Sequence, residues 1–257
     1  MSWQERFEER ASALCVGLDP APGRLPPGIG AEEFCLAVIE ETADLAACVK
    51  PNLAFFERLG PEGLASLVRV IAGAKAKGLP VILDAKRGDV AESGRAYAEA
   101  FLGGPFDGDA MTVNPSLGLD TLAPFAERAR ATGNGVFVLL RTSNPGAGLF
   151  QGPAEAALVE AIRAEPAFGA VVGATDPQSG ARLRRALPET LFLVPGFGAQ
   201  GGADLAPFFT DSGRGAVVNS SRAILYAGEG RPWPEWRQAI REAARAAHAT
   251  IERARLR

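Results

Sequence analysis

Val81-Ile82-Leu83-Asp84-Ala85-Lys86-Arg87-Gly88-Asp89-Val90 decides how the rest of the chain is read. Val81 to Leu83 are consecutive aliphatic residues with no polar alternation, the pattern of a strand buried on both faces. Charge begins abruptly at the C-terminal end of that run. Residues two apart on a strand share a face, so Asp84 and Lys86 are expected to project together from its tip. Gly88 is read as the turn, with Asp89 returning within reach of the same spot. Two carboxylates around one ammonium are costly to bury unless the charges pair. A structural salt bridge would meet that condition. So would a lysine held charged to move a proton or to stabilise developing negative charge.

The same unit recurs on either side. Ala13-Leu14-Cys15-Val16-Gly17-Leu18-Asp19-Pro20 reads as an apolar strand ending in an acid, and Ala46-Ala47-Cys48-Val49-Lys50-Pro51-Asn52 as one ending in a lysine. Further strands are expected over 109–115, 135–142, 168–175, 191–196 and 215–222. Helical spacing separates them over 3–11, 31–46, 61–78, 89–102, 118–132, 153–164, 177–187, 203–210 and 233–255. Regular strand–helix alternation means a parallel sheet. About eight such units in a chain of 257 residues predict an α/β fold, a (β/α)8 TIM barrel. A doubly wound open sheet is the alternative. No Pro/Ser-rich linker or low-complexity segment interrupts residues 1–257, so a single domain is expected.

Composition narrows the function. A net charge of −3 offers no basic face, which argues against nucleic acid and anionic membrane as partners. The charged start lacks the apolar centre of a signal peptide, and no apolar run reaches membrane-spanning length. A cytoplasmic protein is expected. Cys15, Cys35 and Cys48 are an odd, widely spaced set without a CxxC pair, so buried thiols are expected rather than zinc ligands or disulfides. His248 is the one histidine and falls in a late Ala/Arg-rich helix. That disfavours a catalytic histidine or a His-rich metal site.

In a barrel of this kind the active site lies at the C-terminal ends of the strands. Here those ends carry Asp19, Lys50, Asp84, Lys86, Asn114, Arg141 and Arg222, whereas the strand bodies are apolar. Separate structural salt bridges need not all gather on one rim, so the partition favours a functional site. The loops after strands seven and eight often hold a phosphate in this fold. After the seventh comes Pro195-Gly196-Phe197-Gly198-Ala199-Gln200-Gly201-Gly202, and after the eighth Asn219-Ser220-Ser221-Arg222. Glycines let backbone N–H groups approach an anion, and Arg222 adds a fixed guanidinium. Gly196, Gly198 and Gly201 also match the dinucleotide pattern G-x-G-x-x-G. They fall on the seventh unit, with no ribose-binding acid ending the next strand, so that reading is rejected.

With those residues in place, the chain resembles the orotidine 5′-phosphate decarboxylase family over nearly its whole length. Asp84-Ala85-Lys86-Arg87-Gly88-Asp89 is similar to the family's D-x-K-x-x-D signature. Leu18-Asp19 and Val49-Lys50-Pro51-Asn52 resemble its first two strand ends. Arg141-Thr142-Ser143-Asn144-Pro145-Gly146 resembles the fifth-strand loop of a bacterial subgroup. The glycine loop with Gln200 and Gly201, together with Ser221-Arg222, resembles its phosphate grip. The resemblance implies decarboxylation of orotidine 5′-monophosphate to UMP without cofactor or metal. It implies Lys86 as proton donor to C6, in a line of alternating charges with Lys50, Asp84 and Asp89. Asp89 would complete the partner's site in a homodimer. Asp19 and Lys50 would hold ribose hydroxyls, Ser143 would meet the pyrimidine, and Gln200 and Arg222 the phosphate. Ser93 stands where the family usually has Thr, which keeps a hydroxyl for the ribose. Ser116 replaces an expected aromatic residue, and the 114–118 loop is given no role.

The chemistry suits these residues. Loss of carbon dioxide from C6 leaves a ring carbanion with little delocalisation, and a preorganised cation in a water-poor pocket is what stabilises it. Adjacent acids favour a charged Lys86. Three other readings fit these residues less well. A metal-dependent sugar-phosphate enzyme would need an acid where Lys50 stands. A Schiff-base lysine would need a neutral amine. A barrel that only binds nucleotide would not require Lys86 between acids.

Overall fold

The structure is a computed structural model that describes residues 2–197 and 204–257. Its eight strands are β1 (Leu14–Leu18), β2 (Cys48–Pro51), β3 (Ile82–Arg87), β4 (Ala110–Val113), β5 (Gly135–Arg141), β6 (Phe168–Val172), β7 (Phe192–Val194) and β8 (Ala216–Ser220). All pair in parallel, in the order β2-β1-β8-β7-β6-β5-β4-β3. The two ends of that order, β2 and β3, meet through isolated bridges at Val49–Val81 and Asn52–Asp84, which close the cylinder. This is the (β/α)8 barrel expected from the strand–helix alternation.

The strands are apolar throughout because both faces are covered. Along β5, Val136, Val138 and Leu140 pack outward under the helices, whereas Phe137 and Leu139 point into the barrel. Cys15, Cys48, Ile82, Ala110, Phe137 and Val217 form the inner filling. The helix α1 (Trp3–Glu8) closes the N-terminal end, with Trp3 edge-on to Phe137 at 5.3 Å between ring centroids. Its first turn is held by a Ser2–Glu5 capping box.

One step further along the inner face the character changes. The residues two beyond Cys48, Ile82, Ala110 and Val217 are Lys50, Asp84, Thr112 and Asn219, all buried. Period-two alternation thus places one polar layer directly on top of an apolar one.

The helices that follow are α2 (Ala31–Thr42), α3 (Leu53–Glu57), α4 (Gly60–Ala76), α5 (Ala91–Phe101), α6 (Ala123–Thr132), α7 (Ala147–Ala164), α8 (Pro177–Ala186), α9 (Arg222–Leu225) and α10 (Trp233–Arg255). Two of these, α3 and α9, are short and not marked by periodicity; Asn52 starts α3 by accepting the Ala54 N–H. Helix α7 begins at Ala147 rather than near 153 and runs through Pro153. The Gln151 side chain ties its early turns to the end of β5. In the 203–210 stretch, the described part is a 3-10 turn, Ala206–Phe208. All three cysteines are buried and free. Among the described residues no helix is long and apolar enough to cross a membrane.

Candidate active site

Asp84 is the centre of the polar layer. Its Oδ2 accepts from Lys50 Nζ at 2.5 Å and its Oδ1 from Lys86 Nζ at 2.5 Å. Asp84 and Lys50 are 7% and 5% exposed, so the pair lies in a low-dielectric setting. Lys86, by contrast, has a half-exposed side chain. Burial alone would drive Asp84 toward its neutral acid, but the two ammonium groups hold its carboxyl well below the usual carboxylate range. Burial would likewise lower Lys50; Asp84 and then Asp19 reverse this and hold it above the ordinary lysine value.

These residues line a cavity of about 450 Å³ with Thr112, Thr142, Ser143, Asn144, Gln151 and Pro195. Leu139, Val171 and Leu193 give it an apolar floor. A second cavity of about 410 Å³ adjoins it across the end of β7 and is lined by Asp19, Arg24, Gly196, Phe197, Asn219, Ser221, Arg222 and Ala223. Here Ser221 Oγ donates to Asp19 Oδ2 at 2.5 Å, while Asp19 Oδ1 is buried and without a hydrogen-bond partner among the described residues. The Tyr226 hydroxyl donates to the Asp19 carbonyl at 2.6 Å and fixes the end of β1 against α9. Gly17 is required for that closure, since a Cβ there would lie 2.7 Å from the Ser221 Cβ.

Most of the strand-end charges therefore converge. Lys50, Asp84, Lys86 and Ser143 share the first cavity; Asp19, Ser221 and Arg222 share the second. Gln200 and Gly201 lie outside the described residues. Arg141 is not part of the site. A register shift between Leu139 and Arg141 breaks the alternation of β5, and Arg141 faces Glu155 at 3.2 Å, a carboxylate it shares with Arg182. Asn114 lines a separate, more apolar cleft beside α7.

Two local expectations are corrected at the opening stretch. Gly88 is not the left-handed turn residue. Lys86 and Ala91 carry positive φ, at 47° and 41°, and Gly88 serves close approach, because a Cβ there would lie 2.2 Å from the Asn114 carbonyl oxygen. Asp89 does not reach Lys86 of its own chain. It accepts the Val90 N–H at 2.8 Å, and no cationic side chain among the described residues lies within 4.0 Å of it. Ser93 is exposed on the first turn of α5, outside both cavities.

Thr112 and Gln151 were missed from sequence. Thr112 Oγ donates to Asp84 Oδ1 at 3.0 Å and is the polar exception in a four-residue apolar strand, a legible signal. Gln151 accepts the Thr142 N–H at 2.8 Å from within α7, and no local pattern marks it.

The orotidine 5′-phosphate decarboxylase / HUMPS family is matched over residues 12–233. An orotidine 5′-phosphate decarboxylase from Deinococcus radiodurans is 46% identical over 237 residues, 87% of each chain. One from Rhodopirellula baltica is 40% identical, covering 90% of this chain and 91% of that one. The solved structure of Leishmania donovani OMP decarboxylase superposes with a TM-score of 0.83 at 38% identity, over the full length of both chains.

The burial difference between the two lysines has a measurable consequence. Asp84→Asn leaves Lys50 buried without a carboxylate and is expected to cost about 3–5 kcal/mol in urea unfolding. Lys86→Ala removes the solvent-facing partner and is expected to cost about 1 kcal/mol or less. Equal losses would mean that Lys50 does not depend on Asp84.

Proposed function

The chain belongs to the orotidine 5′-phosphate decarboxylase / HUMPS family and is a carbon–carbon lyase that decarboxylates orotidine 5′-monophosphate in pyrimidine synthesis; we propose that Lys86 protonates C6 of the ring, with no cofactor or metal. The observation that carries the mechanism is one buried carboxylate, Asp84, holding two ammonium groups at the mouth of an apolar-floored cavity.

Substrate fits the two cavities by chemistry. The phosphate goes to Arg222 and the Gly196 turn, with Gln200 and Gly201 as further donors; the ring goes to the cavity with Ser143. Ribose hydroxyls lie between, within reach of the unpartnered Asp19 Oδ1 and of Lys50. When the C6–carboxylate bond breaks, its electron pair stays on C6 and neutral carbon dioxide leaves over Leu139, Val171 and Leu193. The Lys86 ammonium offsets the developing charge and then gives its proton to C6, yielding UMP. Half exposed, Lys86 recovers a proton from solvent. Lys50 already neutralises Asp84 on its buried side, which leaves no purely anionic nest for a divalent ion. Gripping the distant phosphate accelerates the reaction by fixing orientation; each 1.4 kcal/mol so realised is about tenfold in rate.

Asp89 and Ser93 belong, in this reading, to the partner's site in a homodimer. Val90 and Tyr97 beside them are exposed, as are Leu117 and Leu119, an apolar surface suited to a second copy.

Orotidine 5′-monophosphate added to chelator-treated protein should lose its substrate absorbance. Lys86→Ala should abolish that turnover while still binding UMP; activity near wild type would exclude Lys86 as the proton donor. Arg222→Ala should lower kcat/KM for the nucleotide about a hundredfold or more and leave the unphosphorylated nucleoside nearly unaffected. An equal penalty on both would remove Arg222 from the phosphate. Mixing inactive Lys86→Ala and Asp89→Ala dimers should recover about a quarter of wild-type activity after subunit exchange, because half the dimers are then mixed and each has one intact site. No recovery despite exchange would place Asp89 outside the partner's site.

A further inference from the structure

We propose that Thr112 is a positioning residue for Lys86, fixing that lysine at both its backbone and its ammonium; the inference rests on the decarboxylase reading. The ladder between β3 and β4 shifts register here. Leu83 pairs with Met111 and Arg87 with Val113, so four steps along β3 match two along β4. Asp84, Ala85 and Lys86 are displaced from regular pairing with β4, and Lys86 adopts a left-handed backbone at φ 47°. An L-residue holds that conformation only where its surroundings impose it.

The imposing contact is a side chain. The amide of Lys86, a residue with no register partner on β4, donates to Thr112 Oγ at 2.9 Å. The hydroxyl proton of Thr112 goes to Asp84 Oδ1 at 3.0 Å, the same oxygen that receives Lys86 Nζ. One hydroxyl thus stands in for the missing strand partner and also orients the carboxylate on which the ammonium rests. Thr112 is 1% exposed, so neither role is available to bulk water. Its neighbours in β4 are Ala110, Met111 and Val113. An aliphatic residue would suit that environment, and a buried hydroxyl is tolerated there because both its donor and acceptor functions are used.

Removing the hydroxyl frees the Lys86 backbone to relax and lets Asp84 turn. The ammonium then shifts relative to C6, and misplacement of about 1 Å costs about a hundredfold in rate. Substrate and product are held mainly by other groups, so the effect falls on kcat rather than on KM.

The test compares wild type, Thr112→Val and Thr112→Ser, with kcat expressed per UMP-binding site so that unfolded protein does not count. Thr112→Val should lower kcat about a hundredfold with KM and UMP affinity unchanged, and Thr112→Ser should restore it. Should the valine variant not fold, Thr112→Ala carries the same expectation. Unchanged kcat per site in the hydroxyl-free variant overturns the role of Thr112. So does a serine variant as impaired as valine, which would make methyl packing the relevant contact. A wild-type protein that does not turn over orotidine 5′-monophosphate overturns the decarboxylase reading itself, and the two failures are thereby distinct.

Discussion

The structure is arranged around a buried ionic contact, Lys50 to Asp84, near the top of an otherwise apolar cylinder. Removing such charges from water costs several kcal/mol per ion, and mutual attraction repays this only when the geometry is close and the remaining lone pairs are used. Both conditions are met at Asp84, whose second oxygen takes Lys86 and the Thr112 hydroxyl. A pair of hydrophobic residues would fill the same space more cheaply. What the ionic version provides is a fixed field, prepared before any ligand arrives, at the spot where the proposed mechanism puts the carbanion.

The field is directional because exposure is unequal. Lys50 is sealed against the barrel wall, whereas Lys86 faces the cavity and solvent. One lysine is paired with the carboxylate inside the wall, and the other meets the same carboxylate from the solvent side. The neighbouring cavity extends the same division of labour. Asp19 is anchored through Ser221 and through the Tyr226 contact to its backbone, which leaves one carboxylate oxygen without a partner among the described residues, in a cavity it shares with Arg222.

Much of this was legible in the sequence, for a physical reason. A strand buried on both faces must be continuously apolar, so a charge at its end stands out, and the sequence alone places Asp19, Lys50, Asp84, Lys86 and Arg222 on one rim. What the sequence hides is where alternation fails. The shift in β5 turns Arg141 away to Glu155, and the shift in β3 makes Lys86 itself the left-handed residue in place of Gly88. Both depend on pairing with a neighbouring strand, which no local pattern records. Asp89 was placed near Lys86 by proximity in the chain, yet the path after Lys86 carries it away. Thr112 was visible as an anomaly, but its partners were not.

The barrel is closed unevenly. Seven strand junctions are ladders of consecutive pairs, two of them with a register shift, whereas β2 and β3 touch through two isolated bridges among the described residues. Lys50 stands on one lip of that seam and Asp84 on the other, so their ion pair acts as a buckle over the least zippered line of the cylinder. Thermal breathing of the wall would start there, and any gap that opened would pull Asp84 and its dependants apart. Mechanical integrity and electrostatic alignment are therefore the same property in this molecule, and backbone hydrogen exchange along residues 48–52 and 81–84 would report both at once.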